Sequence, residues 1–472
     1  MIELTVVSLT LILLLAYFTM GRNLSRPTIL YVGGFLICSV VAWSWKDEWG
    51  LETMSSVTAF MIIGGAIVFY FVEWVDYTRS DSYAKLHQYN DASDVGFEPV
   101  SSFKLLIFLL FQIFAFVLVA RSKMEYAMTD DLAGAIGQIN DETKFQETIL
   151  KLPFYVGFFN NVCTAAMPIW CSMLPFYMRR FSQCRLQTFL ISLNLITLTL
   201  GTFLGGGRTY FLNIILTLVS FAYINYQYKN GWTGGLFPKK VMVAIMSFAL
   251  VFILLFSELG TSLGRKESNK TVSLIFAMYC GAEIKNLDDY VQMPFDQDND
   301  SGRFLQYTFC GIYDKIDQRL YGSEIGRANY PDLAFNNYDG FPLGNVYTTY
   351  YNFFVDWGAF GAVLLAGFIS LITAFFYRKT VTSEFWCNGQ MNIWMLWYGS
   401  YMPQACFLSF FANKMFESIT LFAIIRNLIL WSALILFFNG KFRAFWSEAY
   451  ETKNNLRTDC LEQHERIHGK VN

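Results

Sequence analysis

Apolar runs of membrane-spanning length follow one another along most of this chain, separated by short polar segments. An α-helix needs about 18 or more consecutive, mainly apolar residues to cross a bilayer. The runs predict about eleven such helices, at approximately 2–20, 28–45, 55–73, 103–120, 152–177, 186–204, 208–226, 239–257, 346–377, 391–411 and 417–438. The run at 346–377 exceeds the length of one span, and we expect it to tilt or break near Gly358 and Gly361.

The same pattern divides the chain into consecutive parts. Residues 1–257 hold about eight predicted spans, residues 258–345 are polar, residues 346–438 hold the last spans, and residues 439–472 form a polar tail. We call residues 258–345 the polar interval. Its many arginines, carboxylates and tyrosines should keep it solvated and able to hydrogen-bond sugars, so we do not expect a large dry core there.

The composition fits an all-α integral membrane protein. Hydrophobic residues make up 54% of the 472 residues and charged residues 15%, whereas charged residues make up about a quarter of a typical soluble protein. The net charge of −2 does not indicate a nucleic-acid partner, and we expect none. Of the nine cysteines, Cys280 and Cys310 share the polar interval and could form a disulfide or remain two free thiols.

Positive charge collects in alternate loops, which predicts the orientation in the membrane. The basic residues of these loops are Arg22, Arg26, Arg79, Lys85, Arg179, Arg180, Arg185, Lys229, Lys239, Lys240, Arg378, Lys379, Lys441 and Arg443. Cytoplasmic loops are enriched in lysine and arginine. We therefore expect a cytoplasmic C-terminus, an N-terminus outside, and the polar interval as one large loop on the outer face.

A tight glycine turn stands between the sixth and seventh predicted spans. Residues 201–212 read Gly-Thr-Phe-Leu-Gly-Gly-Gly-Arg-Thr-Tyr-Phe-Leu. Arg208 should open the next helix on the outer side, where an anion would meet both its guanidinium and the free amides of the first helical turn. The alternative is an arginine that only anchors the helix at the level of the lipid headgroups.

Asp356 lies two or three turns inside the apolar run at 346–377. An ionisable residue at such a depth is costly and is by default a functional residue or a structural partner. The structural alternative is a carboxylate that caps or packs a helix beside Gly358 and Gly361. The sequence alone leaves both open.

Together these motifs resemble the Wzy-type O-antigen or oligosaccharide repeat-unit polymerases. The resemblance lies in the Gly-Gly-Arg turn, in the later Asn-Val-Tyr-Thr…Asp-x-Gly-x-x-Gly sequence at 345–361, and in one large outer loop between late helices. It implies a GT-C-like, inverting, metal-independent glycosyltransferase of the bacterial inner membrane, without a cofactor. The implied donor and acceptor are oligosaccharides linked to undecaprenyl diphosphate, and a chain-length regulator is a candidate partner.

The resemblance also assigns cationic residues to the diphosphate. Arg208 matches the turn arginine of the family, and Arg265 stands where the family usually places another. Guanidinium groups stabilise the charge that develops on a leaving diphosphate better than lysine does. Arg327 and Lys414 are further candidates for binding the diphosphate.

The remaining candidate residues concern the acceptor and the sugars. The attacking hydroxyl needs a base or a hydrogen-bond acceptor, and the candidates are Asp339, Asp356 and Glu324. We expect the sugars to contact the side chains that surround the end of the polar interval. These are Tyr338, Tyr347 and Asn345.

The sequence also bears on two other functions and on a metal site. O-antigen ligases, which transfer glycan to lipid A core, usually carry a histidine in the outer loop, whereas His87, His464 and His468 all fall on the predicted cytoplasmic side. Lipid-linked oligosaccharide flippases generally show pseudo-repeated halves, and no repeat is seen here. The sequence at 296–300 resembles the start of a calcium loop but lacks the required glycine and glutamate, so we expect no metal.

Overall fold

The computed structural model describes residues 1–79, 99–145, 152–205, 208–230, 232, 235, 272–294, 296, 301–322, 329–382, 393–418 and 421–439. Most of these residues are helical. The helices are α1 (Ile2–Thr19), α2 (Pro27–Ser44), α3 (Ser56–Arg79), α4 (Ser102–Ala127), α5 (Leu132–Phe145), α6 (Phe154–Ala165), α7 (Met167–Arg179), α8 (Arg185–Phe203), α9 (Arg208–Lys229), α10 (Val272–Cys280), α11 (Ala282–Gln292), α12 (Cys310–Tyr321), α13 (Thr349–Thr382), α14 (Ile393–Phe407), α15 (Lys414–Ser418) and α16 (Leu421–Asn439).

Among the described residues, six helices are long and apolar enough to cross a bilayer: α1, α2, α3, α4, α8 and α13. They indicate a mostly helical membrane protein, as the apolar runs predicted. Helices α9, α14 and α16 occupy three more of the predicted runs but are not among the six. The predicted span at 239–257 lies outside the described residues, so the number of eleven spans stays a prediction.

The predicted span at 152–177 is divided into two short helices. α6 ends at Ala165 and α7 begins at Met167. Pro168, the second residue of α7, has no amide hydrogen to donate to the preceding turn. The division therefore follows from the proline.

Helix α13 packs along α3 over much of its length. The hydroxyl of Ser370 donates a hydrogen bond to the carbonyl oxygen of Phe69, at 2.7 Å. A Cβ atom on Gly367 would lie only 2.7 Å from the side chain of Val68. Small residues thus let the two helices approach closely, which is the usual way in which helices associate inside a bilayer.

Helix α13 is broken at Gly358, where φ is 65° and ψ is −172°. The sequence predicted this break, whereas Gly361 stays helical. Before the break, residues 349–353 are buried against the rest of the protein. After it, Phe360, Leu364 and Phe368 are exposed, and the remaining length suffices to cross a hydrocarbon core of about 30 Å.

Contacts between polar segments mark two ends of the bundle. At one end Lys46 pairs with Glu3 at 3.0 Å, and Trp45 packs on Phe341 of the polar interval. At the other end Arg26 pairs with Glu73 at 3.2 Å. We call these the lobe end and the basic end. Their assignment to the outside and the cytoplasm stays a prediction.

The described part of the polar interval, which we call the lobe, is more compact than expected. Helix α11 is buried on nearly every side although it contains Glu283, Lys285, Asn286 and Asp288. Helix α12 turns Asp314 and Asp317 inward. The expectation of a mainly solvated segment is wrong for α11, where neighbouring backbone and side chains satisfy most of the buried polar groups. Helix α12 is buried on one side and exposed on the other.

A short antiparallel hairpin completes the lobe and departs from an all-α fold. Strand β1 (Asn336–Tyr338) pairs with β2 (Phe341–Gly344). The connecting Asp339 and Gly340 both have positive φ, at 44° and 81°, as a two-residue hairpin turn requires. Cys280 and Cys310 are free thiols in the structure.

Candidate functional site

The lobe contacts the broken helix α13 through a cluster of polar side chains around Thr308. The carboxylate of Asp356 accepts hydrogen bonds from the backbone amides of Tyr307, at 3.1 Å, and Thr308, at 2.5 Å. The side chain of Asn352 donates to the carbonyl oxygen of Tyr307, and that of Asn413 to the carbonyl oxygen of Thr308. We call these five residues the Thr308 cluster. It fixes one short backbone segment of the lobe to α13 and to the turn before α15.

This cluster explains the spacing of the Asp-x-Gly-x-x-Gly motif. Asp356 binds the lobe, and Trp357 packs edge-on against Phe304, with 5.7 Å between ring centroids. Gly358 supplies the positive φ of the break. A Cβ atom on Gly361 would lie 2.2 Å from the side chain of Trp357, so only glycine leaves room for that ring. Each defined position of the motif therefore has a structural role.

A second polar cluster lies between helix α11 and the hairpin. The ammonium of Lys285 pairs with Asp289 at 2.6 Å and lies 4.5 Å from the ring centroid of Tyr338. The side chain of Asn336 donates to Asp289 and to the side-chain oxygen of Asn286. We call these five residues the Lys285 cluster. Lys285 is buried whereas the Asp289 side chain is 35% exposed, so solvent reaches the cluster from the carboxylate side.

The Lys285 cluster offers groups that suit a carbohydrate. A carboxylate accepts hydrogen bonds from hydroxyl groups, and an amide both donates and accepts. The ring of Tyr338, which is 36% exposed, adds an apolar face with a polar end. The cluster can therefore bind a polar, neutral molecule by hydrogen bonds and ring packing.

Helix α11 is anchored to the membrane helices by its other polar residues. Asp288 accepts hydrogen bonds from the amide of Ser55 and the hydroxyl of Thr58, at 2.9 and 2.7 Å. The side chain of Asn286 donates to the carbonyl oxygen of Val346 at 2.8 Å. The Lys285 cluster is therefore held by the N-terminal turn of α3 and by the segment that leads into α13.

Glu283 is a buried carboxyl group at the start of α11. The thiol of Cys38 contacts one carboxyl oxygen at 3.8 Å, and the other has no hydrogen-bond partner in the part of the chain that the structure describes. Burial raises the pKa of Glu283 well above its ordinary value. Burial therefore favours the neutral form of this carboxyl group more than it would at an exposed glutamate.

Arg303, Asp317 and Asn329 hold α12 to the segment that precedes the hairpin. The guanidinium of Arg303 donates to Asp317 at 2.7 Å, and Asn329 donates to the same carboxylate oxygen at 2.7 Å. Burial opposes the ionisation of Asp317, but the hydrogen bonds from Arg303 and Asn329 and the charge of Arg303 outweigh it and lower its pKa. Asp317 is therefore an ionised structural group.

Three tyrosine rings pack together where the lobe meets the start of α13. Tyr347 and Tyr290 both pack on Tyr351, with centroid distances of 4.4 and 4.6 Å. The hydroxyl of Tyr347 donates to the carbonyl oxygen of Ala334 at 3.1 Å. Burial raises the pKa of Tyr347 to about 12. The Tyr347 hydroxyl thus binds the backbone. Asn345, which lies in the chain between β2 and Tyr347, is half-buried.

The structure distributes the predicted site residues over several places. Asp356 lies in the Thr308 cluster and Tyr338 in the Lys285 cluster, while Asp339 is exposed at the hairpin turn. Lys414, next to Asn413, pairs with Glu417 at 3.0 Å. Arg208 is the first residue of α9, as predicted. Its side chain is not described, and Arg265, Arg327 and Glu324 lie outside the described residues.

Sequence reasoning missed the residues of α11. The signals were present: Ile284, Leu287 and Val291 recur at helical spacing, and Lys285 and Asp289 stand four residues apart. Comparison with protein-family models, with curated proteins and with solved structures gives no match.

Proposed function

We propose that this protein is a bacterial inner-membrane polysaccharide polymerase. It would be a GT-C-like, inverting, metal-independent glycosyltransferase that joins oligosaccharide repeat units carried on undecaprenyl diphosphate at the outer face. The observation that supports this most is the Thr308 cluster. The motif that carries the resemblance joins a folded polar lobe to a broken membrane helix, where a lipid-linked glycan could lie with its sugars against the lobe.

The proposed reaction is a displacement at the anomeric carbon of the donor. A hydroxyl of the acceptor glycan attacks that carbon, the bond to the diphosphate oxygen breaks, and undecaprenyl diphosphate leaves with the electron pair. Arg208 and Arg265 would bind the diphosphate and stabilise its developing charge. Arg327 is a further candidate, whereas the charge of Lys414 is already compensated by Glu417.

The proton of the acceptor hydroxyl must pass to a base. Both Asp356 oxygens already accept backbone hydrogen bonds, so we assign Asp356 a positioning role. Asp339, exposed at the hairpin turn, and Glu324 remain the candidates for the base. A carboxylate there would need only to lie within hydrogen-bond reach of the attacking hydroxyl.

We assign the sugars of a repeat unit to the Lys285 cluster. Asp289 and Asn336 would hydrogen-bond the hydroxyl groups, and Tyr338 would pack against a sugar ring. Asn345 lies close by in the chain, after β2. Tyr347 would support this surface from beneath, since its hydroxyl already binds Ala334.

Reconstitution with lipid-linked repeat units tests the proposal. Purified full-length protein in liposomes should convert them into longer chains on undecaprenyl diphosphate without added metal. Glycan transferred to lipid A core would instead identify a ligase. Movement of the lipid across the bilayer without new glycosidic bonds would identify a flippase.

The Arg208→Ala variant tests the proposed diphosphate contact. Loss of a guanidinium that stabilises the leaving group should reduce chain extension by roughly 100-fold or more, while the protein still inserts into the membrane. Arg185→Ala is the matched control, because Arg185 is the first residue of α8 but lies on the predicted cytoplasmic side. Wild-type glycan ladders from Arg208→Ala would remove Arg208 from the mechanism.

A further inference from the structure

Arg426 is a charged residue within the apolar helix α16. The helix reads Leu-Phe-Ala-Ile-Ile-Arg-Asn-Leu-Ile-Leu-Trp from Leu421 onwards, so Arg426 lies more than one turn inside it. A cation at such a depth is costly unless a partner compensates its charge, and it marks a functional site by default. The identity of the partner therefore decides what Arg426 does.

The hydrogen-bond partners of Arg426 are neutral amides. Its guanidinium donates to the side-chain oxygen of Asn161 on α6, at 3.0 Å, and to that of Asn427, at 3.2 Å. Asn427 in turn donates to the hydroxyl of Tyr401. The indole of Trp431, farther along α16, donates to the carbonyl oxygen of Ala165 and holds the two helices together. The guanidinium thus links α16 to α6 through Asn161.

Several other cations of this protein pair with carboxylates. Such pairs are Arg26–Glu73, Lys285–Asp289, Arg303–Asp317, Arg378–Asp76 and Lys414–Glu417. In the part of the chain that the structure describes, no carboxylate pairs with Arg426. A guanidinium has five N–H donors, and the two amides leave several of them for a further acceptor.

Exposed apolar side chains accompany Arg426 on the surface of α16 and α6. Arg426 itself is exposed. On α16 it is accompanied by Ile425 and Ile429, which are 47% and 63% exposed, and on α6 by Tyr155 and Phe158, which are 55% and 49% exposed. An anion that reaches this guanidinium must therefore share the site with apolar surface, which suits a headgroup attached to a hydrocarbon chain.

We propose that Arg426, with Asn161 and Asn427, binds the phosphate of a membrane lipid whose chain lies along α6 and α16. The phosphate would supply the missing negative charge, and the exposed isoleucines and aromatic rings would contact the chain. A polyprenyl diphosphate and an anionic phospholipid share this chemistry. The site lies outside the lobe and depends only on the membrane location of the protein, so it does not rest on the polymerase proposal.

Lipid titration of the purified full-length protein in detergent tests this site. Native mass spectrometry would measure binding of undecaprenyl diphosphate, of phosphatidylglycerol and of undecaprenol, which has the chain but no phosphate. Wild-type protein should bind at least one phosphorylated lipid about tenfold or more tightly than undecaprenol, since charge-assisted hydrogen bonds are lost with the phosphate. Preference for undecaprenyl diphosphate would indicate a substrate site, and equal or stronger binding of phosphatidylglycerol a structural lipid.

Variants separate the site from unspecific lipid adsorption. Arg426→Gln should weaken binding of the phosphorylated lipid about tenfold and leave undecaprenol binding unchanged. Asn161→Ala, which keeps the cation but removes one group that orients it, should weaken binding less. Arg121→Ala is the control, because Arg121 is exposed and pairs with Glu125. Unchanged phosphate-lipid binding in both Arg426→Gln and Asn161→Ala, or equal wild-type binding of undecaprenol, would overturn the proposal.

Discussion

Single polar residues in this protein act largely by binding backbone. Asp356 and Asn413 bind the main chain around Thr308, Asn286 binds the carbonyl oxygen of Val346, and Asp288 binds the amide of Ser55. Buried backbone groups of irregular segments must be satisfied, and near a bilayer water does this poorly. These side chains therefore stabilise the lobe, and in the proposed function the substrate would contact partly exposed groups such as Asp289.

Asp356→Asn tests whether this carboxylate positions the lobe. The amide keeps the size of the side chain, but its NH₂ group faces a backbone N–H and cannot accept a hydrogen bond. Two charge-assisted hydrogen bonds are weakened or lost, so we expect the unfolding free energy to fall by about 2–4 kcal/mol. Thermal unfolding in detergent measures it. Asp339→Asn, at the exposed hairpin turn, should change little. Unaltered stability together with lost chain extension would instead make Asp356 the base.

Asp317 should make the stability of the lobe depend on pH. Its folded pKa is lowered, so its contribution is complete above the ordinary value of about 3.9 and is lost as the pH falls through the folded pKa. Thermal midpoints measured from pH 6 to pH 3 should fall less steeply for Asp317→Asn than for the wild type. Asp130→Asn, at an exposed position, is the control. Parallel curves for all three proteins would exclude this role.

At the scale of elements, the break in α13 is the feature that joins membrane and lobe. Residues 349–353, before Gly358, are buried, and those after it form a membrane-length helix with exposed apolar side chains. The break turns Asp356 and Trp357 towards Tyr307 and Phe304. If α13 were continuous through residue 358, Asp356 and Trp357 could not make these contacts while the span after Gly358 kept its present position.

Gly358→Ala should lower the stability of the protein although there is space for the methyl group. No heavy atom lies within 4 Å of the added Cβ, but φ is +65°, a conformation that costs a residue with a Cβ about 1–3 kcal/mol. Gly157, in α6, also has open space but lacks the positive φ. Gly157→Ala should therefore be neutral or stabilising. Equal thermal midpoints for the two variants would contradict the strained geometry of the break.

The sequence predicts the elements better than their contacts. Apolar length and the glycine at 358 are local signals, so six of the predicted spans and the break followed from them. The sequence could not distinguish a functional from a structural role for Asp356, because its partners Tyr307 and Thr308 lie nearly 50 residues earlier in the chain. The burial of α11 was missed for the same reason, since Ser55 and Thr58 satisfy Asp288 from the far part of the chain.

At the scale of the whole molecule, polar and basic loops lie at opposite ends of one helical bundle. The hairpin, α11 and the N-terminus of α1 share the lobe end, while Arg26 and Arg378 share the basic end. The proposed polymerase requires the lobe end to face the outside, because the repeat units are joined there. Every role assigned to the lobe and to Arg208 depends on this orientation.

Side-specific labelling of introduced cysteines tests that orientation most directly. Asp339→Cys and Thr382→Cys place exposed thiols at the hairpin turn and at the far end of α13, and the wild type reports any labelling of its native cysteines. In intact spheroplasts, a membrane-impermeant maleimide should label Asp339→Cys at once and Thr382→Cys only after the membrane is opened. The reverse pattern would place the lobe in the cytoplasm and contradict the account.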